Sequence, residues 1–347
     1  MQKELKYPQG IVWLMGQCME AKGKQDLWTQ TRPEAMKALR EMAIIQSAES
    51  SNRIEGVEIE KNRLVPLLTG KVKPLDRPEE EVLGYKNALA WIHKNFEKIK
   101  MEPVTILKIH HLCQEGASGD AGKFKNKNNE IIEIHNNGER SIRFLPTSAK
   151  ETPEAVKQLC LKYRQEIQNN EGPDIGIISN FVLDFLCIHP FRDGNGRTSR
   201  LLTILLLYQN GYYVGRYISL ERIIEEHKED YYSTLHKSSQ KWHEKKHDPF
   251  IWMMFFVSTL RQAYNDLADK VQLAPEFSAS GAKTDIIKNI ILEQISDFSL
   301  SDIEHLSPSI STQLIKKVLA QLKADGVVEL EGRGRGSRWR KVKNKKN

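Results

Sequence analysis

The sequence predicts a mainly α-helical protein that carries one β-hairpin and ends in a small, separate domain. In most of the chain, apolar residues recur three and four positions apart, as in residues 36–45, and this period is typical of helices with one buried face. The period changes to two between residues 122 and 146, which predicts paired strands. A stretch rich in Pro, Ser and Gly, residues 274–283, then predicts a linker before a new apolar pattern.

The composition is that of a soluble protein with more than one domain. The chain has 347 residues, of which 39% are hydrophobic and 28% charged, so it can bury a sizeable core in two or three domains. Its apolar runs are shorter than the ~18 residues of a membrane span, and its first residues lack a signal peptide's apolar stretch. We therefore expect a cytoplasmic protein that makes no membrane contact. The four cysteines show no C-x-x-C pair and are expected to be reduced core thiols.

The positive net charge belongs to the C-terminal end of the chain. The whole chain carries +7, but residues 332–347 hold eight Lys or Arg and no acid. The other 331 residues have 44 basic and 45 acidic groups and are almost neutral. This distribution indicates a local contact with a polyanion, or a solvated end, rather than a globally basic protein.

The N-terminal region, residues 1–100, is predicted to be helical. Pro33 opens a long helix that ends near Gly56, since glycine is typical of the position after a helix. Ser51 and Glu55 are four residues apart in its last turn and therefore share one face. Taken alone, this pattern describes a helix end with an exposed acid.

Helices are next predicted for Glu79–Phe96 and Pro103–Gln114, and the hairpin follows them. Its alternating strands surround the turn sequence Asn136-Asn137-Gly138, which is a hairpin signal. The alternating apolar residues are Ile132, Ile134, Ile142 and Phe144. His110 and His111 lie in the second helix, but adjacent residues point to different sides of a helix. We interpret them as core or surface histidines rather than as a metal site.

Residues 189–200, with the sequence HPFRDGNGRTSR, form a loop between two helices that are predicted to be buried. The first of these helices runs out near His189, and the second is predicted over Thr198–Gln209. Gly194-Asn195-Gly196 can turn the chain so that backbone N–H groups point inward at a helix N-terminus. Such a loop favours an anion.

Four side chains of this loop suit phosphate chemistry. Arg197 and Arg200 are three residues apart, so they project toward the same anion and suit a polyphosphate. Asp193 can hold Mg²⁺, which prefers carboxylate oxygen together with substrate phosphate oxygens. His189 titrates near neutrality and can take a proton from a hydroxyl. Each residue taken singly is also typical of a helical corner with a core histidine and solvated arginines.

Together these residues resemble the signature of the Fic family, His-x-Phe-x-Asp/Glu-Gly-Asn-Gly-Arg-x-x-Arg, at every defined position. Eight fixed residues would match by chance with a probability on the order of 10⁻¹⁰ per position. The resemblance implies a helical Fic core with a β-hairpin flap. It also implies transfer of AMP from ATP to a hydroxyl side chain of a target protein, with Mg²⁺ as cofactor.

The resemblance implies a role for each residue of the site. The expected residues are catalytic His189, metal-binding Asp193, structural Phe191, and nucleotide-binding Gly194, Asn195, Gly196, Arg197, Arg200, Tyr231 and Tyr232. Arg197 is assigned to the β-phosphate and Arg200 to the γ-phosphate. Tyr231 and Tyr232 lie where Fic proteins often place aromatic residues against the adenine, although a tyrosine pair is also typical of packing.

Two segments outside the signature also resemble Fic proteins. Residues 51–56 are similar to the inhibitory motif (Ser/Thr)-x-x-x-Glu-(Gly/Asn), which implies that Glu55 pairs with Arg200 and removes it from the anion site. The hairpin matches in position the flap that holds a target segment by strand addition. Before it, residues 122–125 resemble Gly-x-Tyr/Phe-Arg, but Lys125 replaces the arginine and lacks its planar fork.

The C-terminal part resembles a winged helix-turn-helix domain. After one or two helices over Arg216–Gln240 and another over residues 249–270, the sequence predicts three further helices and a two-stranded wing. The predicted helices are Asp285–Gln294, a short one at Ser299, and Ser309–Ala324. In this interpretation the third helix enters a DNA groove, and Arg333, Arg335 and Arg338 reach phosphates. Winged helices also serve as protein-interaction or dimer modules, so contact with DNA stays open.

We expect three parts: an N-terminal helical region at 1–100, a Fic core at 101–273 and a winged helix at 284–347 with its basic tail. The expected function is self-inhibited adenylylation of a Ser, Thr or Tyr hydroxyl on a protein, the chain itself included. Two alternatives stay open, which are a hydrolase that uses Glu55 to remove AMP and a DNA-binding regulator whose core senses nucleotide. A homodimer and another nucleotide donor are also left open.

Overall fold

The computed structural model consists of helices over most of its length and two small β-sheets. It describes residues 6–31, 33–134, 140–273, 279–292, 294, 297–307, 310–332 and 337–342. The predicted turn at Asn136-Asn137-Gly138, and Arg333 and Arg335 of the predicted wing, lie outside the described residues. In the part of the chain that is described, no helix is both long and apolar enough to cross a lipid bilayer.

The N-terminal region consists of four helices, α1 Gln9–Thr31, α2 Pro33–Ile54, α3 Lys61–Leu68 and α4 Arg77–Asn95. Pro33 opens α2, as predicted. The helix α4 begins at Arg77 rather than at Glu79, because the Asp76 carboxylate accepts a hydrogen bond from the Glu79 N–H and caps the helix. The helix α2 packs against α4. Its buried apolar side chains include Met36, Leu39, Met42, Ile45 and Ala48.

Seven helices follow, α5 Pro103–Gln114, α6 Thr152–Gln168, α7 Asp174–Ile188, α8 Asn195–Gln209, α9 Leu220–Glu226, α10 Lys228–Ser239 and α11 Pro249–Leu273. Short 3-10 turns lie at Phe96–Lys98 and Val214–Arg216. The helices α7 and α8 pack together and are almost wholly buried. The helix α8 begins at Asn195, before the predicted Thr198, because its first turn is made of polar residues that are buried rather than solvated.

The predicted hairpin is present as strands β1 Ile131–Ile134 and β2 Arg140–Phe144, which pair antiparallel with Ile132 opposite Ile142. Ile131 pairs with Phe144 and Ile132 with Ile142, so Arg143 is an extra residue that bulges the second strand. Ile132 and Ile142 are 46% and 54% exposed, so this apolar pair faces away from the core. The sheet has only these two strands among the described residues, and β2 contacts α10.

The C-terminal part contains α12 Ala279–Leu292, α13 Leu300–Leu306, α14 Thr312–Ala324, β3 Val328–Glu331 and β4 Arg338–Lys341. The helix α12 begins at Ala279, so the end of the predicted linker is helical and the predicted start at Asp285 was wrong. The helix α13 has the predicted cap, in which the Ser299 and Asp302 side chains bond reciprocally to backbone N–H groups. The strands β3 and β4 pair antiparallel. Assignment of this part to the winged helices stays a prediction.

The helix crossing between α4 and α5 requires glycine at residue 84. A Cβ atom at Gly84 would overlap the backbone carbonyl of Cys113 in α5, and backbone cannot rotate away as a side chain can. At Gly23, in the exposed part of α1, an added Cβ meets nothing within 4 Å.

We expect Gly84→Ala to lower the free energy of unfolding by about 2 kcal/mol, because the helices must separate. Gly23→Ala is the matched control and should raise it by about 0.5–1 kcal/mol, since alanine favours a helix interior. Urea unfolding followed by circular dichroism measures both values. Equal effects of the two substitutions would contradict the close approach of α4 and α5.

Candidate active site

His189 is the first residue after α7 and has a left-handed backbone conformation, with φ 51° and ψ 61°. Few residues other than glycine adopt it, and such strain is most common at functional sites. The ring nitrogen Nδ1 lies 3.4 Å from the Leu186 carbonyl oxygen. If Nδ1 carries the proton that this contact requires, Nε2 is free to accept another. Burial lowers the pKa of His189 to about 4, so the ring is neutral at physiological pH.

The loop after His189 is closed by the Asn195 side chain. Asn195 Oδ1 accepts a hydrogen bond from the Phe191 N–H at 2.9 Å, and its Nδ2 donates to the Phe191 carbonyl at 2.8 Å. Phe191 is fully buried, as expected of an anchor. The side chain of Asn195 is therefore used within the loop, and its contact with a nucleotide would have to come from its backbone N–H.

His110 supports the same loop from α5. Its ring stacks on Phe191 with centroids 3.6 Å apart. Its Nδ1 accepts from the Gly122 N–H at 2.9 Å, so the proton lies on Nε2, which is 3.1 Å from the Asp193 carbonyl oxygen. Burial lowers the pKa of His110 to about 4, which keeps this neutral form at physiological pH. No sequence pattern indicates this role, because the partners lie far apart in the chain.

Both glycines of the predicted anion loop lie in close contact with a side chain of another element. Gly194 has φ 76°, and an added Cβ would overlap the Gln114 side chain, which is fully buried. At Gly196 an added Cβ would overlap Glu55 Oε1. A carboxylate thus lies against the first turn of α8, where unpaired N–H groups and the helix dipole favour an anion.

Arg200 is 3% exposed and binds the end of α2. Its Nε donates to Ser51 Oγ at 2.8 Å, and its Nη2 donates to the Ser51 carbonyl at 2.9 Å and to Glu55 Oε1 at 2.7 Å. Burial would lower the pKa of Arg200, but the Glu55 carboxylate keeps it above its usual range. The structure therefore brings Ser51 and Glu55 to the arginine that the family resemblance assigns to the γ-phosphate.

Arg197 is held by an acid that the sequence did not single out. Its Nη1 lies 2.7 Å from Glu81 Oε2 and 3.3 Å from Asn52 Oδ1, and its side chain is 2% exposed. Arg77 lies 2.7 Å from both Glu81 Oε1 and Asp193 Oδ2, so it joins Glu81 to the loop. Glu81 and Arg77 are in α4, and only the fold places them beside the signature.

Asp193 fits a magnesium ion that is bound together with a substrate. Its side chain is 45% exposed, its Oδ2 lies 2.7 Å from the cationic Arg77, and its Oδ1 accepts a hydrogen bond from the Gly194 N–H at 2.6 Å. Within the described residues there is no cluster of three or more His, Cys, Asp or Glu side chains that could hold a metal ion by themselves. Mg²⁺ commonly needs only one or two carboxylates when phosphate oxygens and water complete its shell.

A cavity of about 200 Å³ lies between the end of α2, α7, α8, α10 and the hairpin. Its lining includes Glu55, His189, Gly196, Tyr231 and Tyr232, together with Ile131, Arg143 and Phe144 of the hairpin. The two tyrosines differ in their surroundings. Tyr231 is 3% exposed and packs edge-on against Trp252, whereas Tyr232 is half-buried and donates to the Ile54 carbonyl at 3.3 Å. Tyr232 is therefore the more accessible ring for a base.

Comparisons with known proteins identify the fold. Residues 98–207 match the model of the Fic/DOC family. A Fido domain-containing protein of Dictyostelium discoideum is 25% identical over 126 residues, which are 35% of this chain and 83% of that protein.

Three solved structures resemble the whole chain or most of it. A Fic family protein from Desulfovibrio desulfuricans has a TM-score of 0.63 at 20% identity and covers 100% of both chains. A Fic domain containing signaling protein from Bacteroides thetaiotaomicron has a TM-score of 0.62 at 20% identity, over 74% of this chain and 97% of that chain. Fic-1 from C. elegans has a TM-score of 0.59 at 19% identity, over 76% and 74%.

We expect Gly194→Ala to destabilise the protein more than Gly56→Ala does. Both glycines have positive φ, so alanine costs about 1 kcal/mol at either position. Only at Gly194 does the added methyl group also meet a buried side chain, so Gly194→Ala should lower the free energy of unfolding by about 3 kcal/mol in all. Denaturant unfolding of the two variants measures the difference. A difference near zero would mean that Gln114 does not support the loop.

Proposed function

We propose that this chain, which belongs to the Fic family, is a protein adenylyltransferase that moves AMP from ATP to a Ser, Thr or Tyr hydroxyl. The Fic domain family generally transfers nucleotide or other phosphate-containing groups onto proteins. The observation that carries the proposal is the position of the Glu55 carboxylate. It contacts Arg200 and the first turn of α8, so the site stabilises an anion beside the histidine.

The reaction needs one proton transfer and one displacement at phosphorus. The target hydroxyl oxygen forms a bond to the α-phosphorus of ATP as its proton moves to His189 Nε2. The bond from that phosphorus to the oxygen that bridges the α- and β-phosphates breaks, and pyrophosphate leaves with the electron pair. His189 is suited to this step because burial lowers its pKa to about 4 and keeps it neutral.

The remaining residues bind and orient the nucleotide. Arg197 and Arg200 offset the charge of the β- and γ-phosphates, and the N–H groups at the start of α8 contact phosphate oxygen. Tyr232 provides a ring for the base at the side of the cavity. Mg²⁺ on Asp193, when bound, supplies further positive charge at the phosphates.

In this proposal the resting enzyme inhibits itself. The Arg200 guanidinium already donates to Ser51 and Glu55, and it cannot make full contact with a γ-phosphate until these bonds are broken. A charged pair that includes a 97% buried arginine competes with ATP more strongly than a surface pair would.

One observation also favours a second candidate, the removal of AMP from a modified protein. Glu55 and His189 line the same cavity, so the carboxylate can orient a water molecule for attack on a bound phosphodiester. Assay with an AMP-modified target separates the two directions. The alternative of a DNA-binding regulator stays a proposal that rests on the exposed lysines 316 and 317 of α14.

We expect Glu55→Gly to increase AMP transfer at least about tenfold, because Arg200 is released for the γ-phosphate. Transfer is followed with α-labelled ATP and Mg²⁺ as label on protein. Glu58→Gly is the matched control, since Glu58 is an exposed acid three residues farther on, and it should behave as wild type. His189→Ala in the Glu55→Gly background should abolish labelling. Equal labelling by wild type and Glu55→Gly would refute the self-inhibition.

Nucleotide binding gives a prediction that needs no target protein. In Glu55→Gly, ATP should bind about tenfold more tightly than ADP, because its γ-phosphate gains Arg200. In the wild-type protein the two affinities should be similar, since Glu55 holds that arginine. Calorimetry with Mg²⁺ measures both. The preference should disappear again in the Glu55→Gly, Arg200→Ala double variant, and its persistence there would assign the γ-phosphate to another group.

A further inference from the structure

We propose that Lys125 is a positioning residue of this site, which holds the backbone around His189 and keeps its ring in the proton-accepting form. The inference rests on the proposed function, because it concerns the same histidine. Lys125 lies outside the signature, in the segment between α5 and β1.

Lys125 bonds to the backbone on both sides of His189. Its Nζ donates to the Ile188 carbonyl at 3.2 Å, and its backbone N–H donates to the Pro190 carbonyl at 2.9 Å. The side chain is held in place by Asn129, whose Oδ1 lies 2.7 Å from Nζ. Lys125 is 6% exposed, so this ammonium group is fixed inside the protein rather than solvated.

Asn129 extends the same support to the next residue of the loop. Its Nδ2 donates to the Phe191 carbonyl at 3.2 Å. Lys125 and Asn129 together therefore bind the carbonyl groups of residues 188, 190 and 191. His189 lies between them in a left-handed conformation, which persists only when surrounding contacts impose it.

The Lys125 ammonium has no carboxylate partner within 4 Å among the described residues, and its acceptors are neutral oxygens. Burial of a charge without an opposite charge is unfavourable, and such groups are concentrated at functional sites. Burial lowers the pKa of Lys125 to about 8. The group is therefore charged at pH 7 and loses its proton within the range in which enzymes are assayed.

This charge acts on His189. After burial, the nearby Lys125 is the next cause that lowers the pKa of the histidine, while Glu55 of α2 and Asp193 of the loop act in the opposite direction. Tyr231 and Tyr232 of α10 and Arg143 of β2 line the same cavity. With a positive charge beside it, the ring resists protonation and stays available as a base.

Lysine at position 125 makes the site sensitive to pH in a way that arginine would not. Arginine, the usual residue at this place in the related pattern, does not lose its proton in proteins. Lysine does, so the support of His189 should weaken as the pH rises through about 8.

The test compares Lys125→Met, Lys125→Arg and the exposed control Lys123→Met in the Glu55→Gly background. We expect Lys125→Met to lower kcat for AMP transfer by about 100-fold, because a displaced base is poorly aligned, with KM for ATP unchanged. Lys125→Arg should restore kcat to within a fewfold of the parent value. The parent should lose rate above about pH 8, and Lys125→Arg should not show this decline. Lys123→Met should match the parent.

Titration of His189 by NMR with labelled histidine gives a readout that does not depend on activity. Removal of the neighbouring charge should raise the pKa of His189 in Lys125→Met, while Lys125→Arg should not raise it. Unchanged titration and unchanged kcat in Lys125→Met would overturn the inference, and AMP transfer by the parent would still uphold the proposed function. If no variant transfers AMP but the titration shifts as stated, the proposed function fails and the role of Lys125 stands.

Thermal unfolding shows whether Lys125→Met folds. If it does not, the role of Lys125 is tested by Lys125→Arg. A rate that still declines above about pH 8 in Lys125→Arg would mean that another group causes the decline. That result would refute the assignment to Lys125.

Discussion

One buried amide side chain closes the turn between α7 and α8, and the geometry of the site depends on it. Asn195 satisfies both the N–H and the carbonyl of Phe191, so the polar backbone groups of this buried residue are paired within the loop itself. With the loop closed, His189 lies at the end of one core helix and Arg200 in the first turns of the next. The histidine and the arginines are therefore positioned by the two most deeply buried helices, which leaves little freedom for either group to move away.

The groups that can bind a phosphate also bind a carboxylate of the chain itself, that of Glu55. Arg200 and the N-terminus of α8 stabilise negative charge whatever its source, and Glu55 is covalently tethered to α2 beside them. A tethered group has a high effective concentration, so a soluble nucleotide must make additional contacts to replace it. Arg197 is different, because it is paired with Glu81 on a separate helix and is not bound by Glu55.

The parts of the site that lie on one continuous segment could be predicted from the sequence, and the parts that lie on several segments could not. The loop between two buried helices and the hairpin follow from local period and spacing, and the motif at Glu55 follows from its resemblance to the inhibitory motif of Fic proteins. Glu81 and His110 have no such signal, because each contacts the signature from a different element. The start of α8 was predicted too late for a related reason. Polarity in its first turn indicated solvent, although those residues are buried by one another.

The burial of α2 limits how Glu55 can be withdrawn. Four large side chains of this helix, Met36, Leu39, Met42 and Ile45, are buried. At about 2 kcal/mol each they contribute about 8 kcal/mol, which is comparable with the stability of a whole domain. The helix as a unit therefore cannot leave without unfolding the protein. Its last turn is buried as well, since Ile54 is 1% exposed, so only Glu55, which follows the helix and has a side chain that is 30% exposed, can move alone. Any resting activity would then be set by the fraction of time for which the Glu55 side chain is turned away from Arg200.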